Sequence, residues 1–134
     1  MCWANCITIP IVLKKPLKVY KVGKIKTSGI FISLYQNFKY YKSQIMPTVK
    51  INPKFERISC FAIGYYGELW KYDSFYINEG YHSYLTEKMA KCNRYEYDEI
   101  GIFEIPAGAT IYVNYKLREV VSTDIKYLGL LELK

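Results

Sequence analysis

The sequence predicts an α+β fold: a single compact domain over residues 1–134, mostly an antiparallel sheet of short strands with two short helices. Short apolar or alternating runs are separated by Gly, Pro and Asn, which is typical of strands and tight turns. Two segments carry signals for the start of a helix. Helices and strands do not alternate regularly, and this argues against a doubly wound nucleotide-binding fold.

The first predicted strands lie in the basic N-terminal half. Residues 18–22 alternate with a period of two and stop at Gly23, as expected of a strand with one buried face. Residues 24–27 and 30–33 read as two strands joined by a tight turn at residues 28–29.

Two short helices are predicted from their N-terminal signals. Ser33 and Gln36 have the spacing of a capping box, which favours a helix or turn over about residues 34–42. Thr86 is predicted to be the N-cap of a second helix that ends near Cys92.

The remaining strands are predicted between turn residues. An extended connector between two prolines covers residues 48–51. The other predicted strands cover residues 55–66, 68–76, 81–84, 100–105 and 110–115, and residues 119–131 supply one or two more.

Charge divides the chain into two unlike halves. Residues 1–60 hold eleven Lys or Arg and one acid, a net charge of +10, whereas residues 61–134 hold eight Lys or Arg and eleven acids, a net charge of −3. Fifteen tyrosines run through both halves. Cationic side chains interleaved with aromatic rings are typical of surfaces that hold phosphates and flat rings, although the same charge also serves solubility alone.

Motifs for common reactions and for membrane insertion are absent from the sequence. It has no glycine-rich phosphate loop, no nucleophile-elbow motif and no zinc-protease motif, and its one histidine excludes sites with two histidines. No apolar run is long enough to cross a membrane, and the first residues do not resemble a signal peptide. We therefore expect a cytoplasmic protein with four free thiols, no membrane partner, no metal and no cofactor.

The segment from Gly80 to Tyr84 is predicted to form part of a pocket. Gly80 forms a turn, ring and polar side chains follow, and a helix N-terminus comes next. Strand alternation sends Tyr81 and Ser83 to one face and His82 and Tyr84 to the other. In the simpler interpretation, His82 only pins the strand–helix junction through a backbone carbonyl.

Four segments of the sequence form a recognisable set: VYKV at residues 19–22, SLYQNFKY at 33–40, EGYHSY at 79–84, and IPAGA at 105–109 followed by Tyr112 and EVVS at 119–122. Together they resemble a group of small proteins of Bacteroides-type bacteria and their phages. The chain departs from the group's pattern at Leu34 and Ala107. The resemblance covers most of the chain and implies a phage or mobile-element context, but no particular reaction.

A weaker resemblance, at the level of the fold, is to ADP-ribosyltransferases. Tyr20-Lys21, Ser83, residues 105–108 and Glu119 occur in a similar order to that family's motifs. This resemblance implies Glu119 as the catalytic acid. However, Lys21 stands where the family has an arginine, and the Ser-Thr-Ser pattern and the second acid or amide before Glu119 are missing.

The function predicted from the sequence is binding rather than catalysis. We expect the protein to sequester an anionic aromatic ligand, such as a signalling nucleotide, as a counter-defence sponge. The predicted ligand-binding residues are Lys18, Tyr20, Lys21, Tyr35, Lys39, His82, Ser83 and Tyr84. Two alternatives stay open: an active or degenerate ADP-ribosyltransferase that uses Glu119, and an inhibitor that binds a host protein through a tyrosine-rich face. A homo-oligomer is compatible with each.

Overall fold

A computed structural model describes residues 2–4, 10–26, 29–34, 38–51, 54–63, 66–67, 69–77, 79–114 and 117–133. The strands are β1 (Cys2–Ala4), β2 (Ile11–Val12), β3 (Leu17–Lys26), β4 (Ile30–Ser33), β5 (Lys39–Tyr40), β6 (Lys54–Ile63), β7 (Leu69–Tyr76), β8 (Tyr81–Tyr84), β9 (Glu99–Ile105), β10 (Thr110–Asn114), β11 (Glu119–Ser122) and β12 (Lys126–Leu130). One helix, α1, spans Glu87–Cys92.

The strands form two antiparallel sheets. The smaller sheet has the order β1-β7-β6. The larger sheet has the order β12-β9-β3-β8-β11-β10-β2, with β4 paired to β3 and β5 paired to β4. Strand β3 is central: β9 pairs with it along residues 17–23, while on its other edge β8 pairs at Tyr20 and β4 pairs from Gly23 onwards.

The predicted α+β class with two short helices is wrong. The described residues are mostly antiparallel strand and contain a single helix of six residues. The predicted helix over residues 34–42 is replaced in part by β5, which pairs with β4 through Phe31 and Tyr40; residues 35–37 lie outside the described residues. A capping signal contributes only about 1 kcal/mol, so burial of the Tyr40 ring outweighs it.

The second predicted helix is present where the sequence places it. The Thr86 side chain accepts a hydrogen bond from the backbone amide of Met89, 3.2 Å away, and so caps α1. The helix is far too short and too polar to cross a membrane, and no other described helix could do so.

The prediction that the first strand stops at Gly23 is also wrong, because β3 runs through Gly23 without a break. A Cβ atom at this position would lie 2.7 Å from Cζ of Phe31 and 2.2 Å from the carbonyl oxygen of Ile32. The glycine therefore lets the Phe31 ring lie against the backbone of β3, and it does not end the strand.

An aromatic cluster forms the main core on one face of the larger sheet, which we call the aromatic face. Its rings meet closely: the centroids of Tyr40 and Phe103 are 4.9 Å apart, and those of Phe103 and Tyr127 are 5.0 Å apart. The buried members of this cluster are Val19, Phe31, Tyr40, Tyr81, Phe103, Ile105, Ala109, Ile111, Val113, Val120, Ile125 and Tyr127.

The opposite face, which we call the helix face, carries α1. Ala90 of the helix packs with Val22, Tyr84 and Ile100 of the sheet, and these four residues form a second, smaller buried cluster. The two faces together bury the middle of β3 on both sides.

Candidate functional site

Strand alternation divides the predicted ligand-binding residues between the two faces. Tyr20 and Tyr84 are cross-strand partners and lie on the helix face, so Lys18 and His82 lie there too. The alternation also places Lys21 and Ser83 on the aromatic face, and both are buried. Tyr35 lies outside the described residues. The predicted set is therefore not one site.

The helix face continues along β3 to a group of exposed lysines. Lys24 and Lys26 follow Val22 at alternating positions, and their partners on β4 are Ile32 and Ile30. Ile32 in turn pairs with Lys39 of β5. We call Lys24, Lys26 and Lys39 the lysine patch.

The lysine patch has no acidic counterpart within the described part of the chain. All three side chains are exposed, and none of them forms an ion pair with a described residue. Lys18, by contrast, lies opposite Glu104 on β9. Since the cross-strand partner of Lys18 is an acid and those of Lys24, Lys26 and Lys39 on β4 are isoleucines, the patch is the more favourable place for an anion. Of its members, only Lys39 is among the residues that the sequence predicts to bind ligand. The period-two alternation that links Lys24 and Lys26 to Lys18 could have identified these two as well.

Lys21, which the sequence predicts to bind the ligand, is buried on the aromatic face. It is 5% exposed, and its Nζ donates a hydrogen bond to the backbone carbonyl of His82. The ammonium group also lies over the rings of Tyr40 and Phe103, 5.5 and 5.9 Å from their centroids. Burial lowers the pKa of Lys21 to about 7. Lys21 thus belongs to the core.

The segment from Gly80 to Tyr84 serves mainly to join the two cores. Tyr81 is 2% exposed, and its hydroxyl donates a hydrogen bond to the carbonyl of Pro47 at 2.6 Å. Tyr84 packs beneath α1. His82 is half-buried on the helix face, and a role for it in a ligand pocket stays a prediction.

Glu119 does not converge with Lys21. It lies in β11 opposite Tyr84, and therefore on the helix face, while Lys21 lies on the aromatic face. A pyrophosphate held by Lys21 and a ribose held by Glu119 would be on opposite sides of the sheet. The geometry gives no support to the ADP-ribosyltransferase alternative.

A groove of about 470 Å³ lies where the connector to β6 meets the turn between β11 and β12. Its walls include Asp124, whose carboxylate accepts hydrogen bonds from the hydroxyls of Thr48 and Thr123, each at 2.6 Å. The Thr123 hydroxyl in turn accepts from the amide of Thr110 at 3.1 Å. These groups satisfy one another, so the groove is better explained as the attachment of the connector than as a ligand site.

The described residues include few groups of the kinds that bind metals or react as thiols. Among them, no three His, Cys, Asp or Glu side chains lie close enough to hold a metal ion. Cys92 is an exposed free thiol. The prediction of free thiols at Cys2, Cys6 and Cys60 concerns side chains outside the described ones.

Comparisons of the chain with protein families, with curated proteins and with solved structures found no match in any of the three. The resemblance to small proteins of Bacteroides-type bacteria and their phages therefore stays a prediction from the sequence.

Proposed function

We propose that this protein binds, without transforming it, a ligand that carries phosphate groups and an aromatic ring, such as a nucleotide. The observation that supports this most directly is the lysine patch. Lys24, Lys26 and Lys39 are exposed on one face of adjacent strands and have no acidic partner among the described residues.

The spacing of the patch suits more than one phosphate. Lys24 and Lys26 are two residues apart on β3, or about 7 Å, and Lys39 lies two strands away, or about 10 Å. Long lysine side chains can close these distances around a single polyphosphate or span several phosphates of a chain. The uncompensated charge also concentrates anions near this surface.

The floor of the patch suits a ring. Ile30 and Ile32 of β4 are partly buried and lie on the same face, between the lysines of β3 and Lys39 of β5. An aromatic ring that covered these side chains would remove apolar surface from water while its phosphates reached the lysines. A ligand held in this way needs no catalytic group, and a nucleotide held without turnover is sequestered.

The test is binding of adenosine triphosphate and inorganic triphosphate by isothermal titration at low and moderate salt. We expect both to bind, with an affinity that falls as salt rises because cations and the lysines compete for the phosphates. The variant Lys24→Ala/Lys26→Ala/Lys39→Ala should weaken binding by roughly tenfold or more.

The matched control is Lys14→Ala/Lys15→Ala/Lys50→Ala. These three lysines are also exposed, and the variant loses the same charge without touching the patch. Equal weakening by the two triple variants would assign the effect to net charge alone. If neither ligand binds at low salt, the proposed function is wrong.

A further inference from the structure

Two tyrosines project from a short loop beside the lysine patch. Residues 93–98, which we call the tyrosine loop, connect α1 to β9. Tyr95 is 79% exposed and Tyr97 is 86% exposed, so both rings are almost entirely in water. Rings of this size contribute more to stability when they are buried in a core. Because these two are exposed, we infer that they contribute to binding rather than to the stability of the fold.

The tyrosine loop is held in shape by its own polar groups. Nε of Arg94 donates to the carbonyl of Asp98 at 2.7 Å, and Nη2 donates to the carbonyl of Glu96 at 3.2 Å. The Asp98 carboxylate accepts from the amide of Tyr95 at 3.1 Å, and the Asp98 amide donates to the Tyr95 carbonyl at 3.0 Å. Asp98 is itself buried. The two rings are therefore presented by a preorganised loop, which lowers the entropy lost when they bind a partner.

The fold places this loop next to the lysine patch. The loop leaves α1, which lies on the helix face, and enters β9 at Glu99. Glu99 is the cross-strand partner of Gly23, and Lys24 follows Gly23 directly. The exposed rings thus come from the end of the β3–β9 pair at which the lysine patch begins.

We infer that Tyr95 and Tyr97 stack on nucleobases and that the ligand of this face is a single-stranded oligonucleotide. This inference rests on the proposed function, because it takes the lysine patch as the site of the phosphates. Two preorganised rings beside a row of lysines match a chain in which unpaired bases alternate with phosphates. A base-paired duplex hides the faces of its bases and would use only the lysines.

The test measures fluorescence anisotropy with a short single-stranded oligothymidylate, with a duplex of the same length and with inorganic polyphosphate. We expect the single strand to bind most tightly. Tyr95→Ala/Tyr97→Ala should weaken its binding by roughly 30-fold, from the loss of two stacking contacts, and should leave polyphosphate binding unchanged. Tyr95→Phe/Tyr97→Phe should keep most of the affinity, because phenylalanine retains the ring.

Two further variants sharpen the test. Tyr66→Ala removes a ring that is 89% exposed between β6 and β7 and serves as the matched control. Glu96→Gln removes the acid between the two rings and should strengthen binding of every polyanion.

The outcomes separate this inference from the proposed function. If polyphosphate binds through the lysine patch but the single strand binds no tighter, or if Tyr66→Ala weakens binding as much as the loop variant, stacking by the tyrosine loop is refuted while phosphate binding stands. If neither polyphosphate nor oligonucleotide binds, both proposals fall.

Discussion

The ammonium group of Lys21 lies 5.5 Å from the centre of the Tyr40 ring, inside the aromatic core. It is a charge carried by an almost fully buried side chain, and its described hydrogen bond goes to the backbone carbonyl of His82. The ring faces of Tyr40 and Phe103 attract the cation, but burial disfavours the charged form more strongly, as the lowered pKa of Lys21 indicates.

The buried lysine predicts that stability rises with pH above neutrality. The pKa of Lys21 is about 7 in the folded protein and 10.5 in its ordinary environment. Between these values the unfolded chain holds more protons at this site, so the free energy of unfolding should rise by up to about 1.4 kcal/mol per pH unit. Below about pH 7 Lys21 is protonated in both the folded and the unfolded protein. Its contribution to the free energy of unfolding is then constant and at its least favourable. Urea denaturation at a series of pH values measures the slope.

Tyrosines that face the same core set the upper limit of this rise. Burial raises the pKa of Tyr40, Tyr81 and Tyr127, so above about pH 10 these groups ionise first in the unfolded chain and stability falls again.

Lys21→Met should remove the rise of stability with pH and stabilise the protein at neutral pH, whereas Lys18→Met, at an exposed position of the same strand, should keep that rise. A parallel pH profile for Lys21→Met and the unmodified protein would contradict the assignment.

Gly23→Ala should destabilise the protein strongly. The added Cβ would collide with the carbonyl oxygen of Ile32 and with the Phe31 ring, and neither can move without disturbing β4 or the aromatic core. We expect the free energy of unfolding to fall by about 2–4 kcal/mol, as for other substitutions that overfill a core.

Gly29→Ala is the control, because its Cβ would meet nothing within 4 Å and only its positive φ of 74° is strained. It should cost about 1 kcal/mol by chemical denaturation. Equal losses at the two positions would show that close packing at Gly23 is not what matters.

Tyr81 joins the connector before β6 to the aromatic core, and the contributions of its hydroxyl group and its ring can be measured separately. Tyr81→Phe removes only the hydroxyl that reaches the Pro47 carbonyl, and should cost about 1 kcal/mol. Tyr81→Ala also removes a ring that packs against Phe38 and Tyr40, at centroid distances of 5.6 and 6.4 Å, and should cost about 3–5 kcal/mol. Thermal or urea unfolding measures both. A similar small loss for the two variants would mean that the ring is not part of the core.

Local signals predicted the elements that depend on local chemistry. The prediction of Thr86 as an N-cap is confirmed, because one hydroxyl and one nearby backbone amide are enough to form the cap. Alternation located the first half of β3, and turn residues bounded β8 and β9 to within a residue.

What the sequence did not reveal depends on contacts between distant segments. The helix expected over residues 34–42 loses to β5 because Tyr40 finds its place only beside Phe103, far along the chain. Lys21 is predicted to bind the ligand, but it is buried, as its alternation with the apolar Val19 indicates. The position of the tyrosine loop next to Lys24 follows only from the pairing of β3 with β9.

The pairing of β3 with β9 also bears on how the protein is made. Val19 lies opposite Phe103, so most of the chain must leave the ribosome before the central strand meets its partner. Until then the strands that pair with β3 are β4 and, at Tyr20, β8, and much of its long edge towards β9 stays open to solvent. Such non-local pairing slows folding and leaves nascent strands exposed to aggregation. The yield of folded protein from rapid overexpression should therefore depend strongly on temperature and on the supply of chaperones.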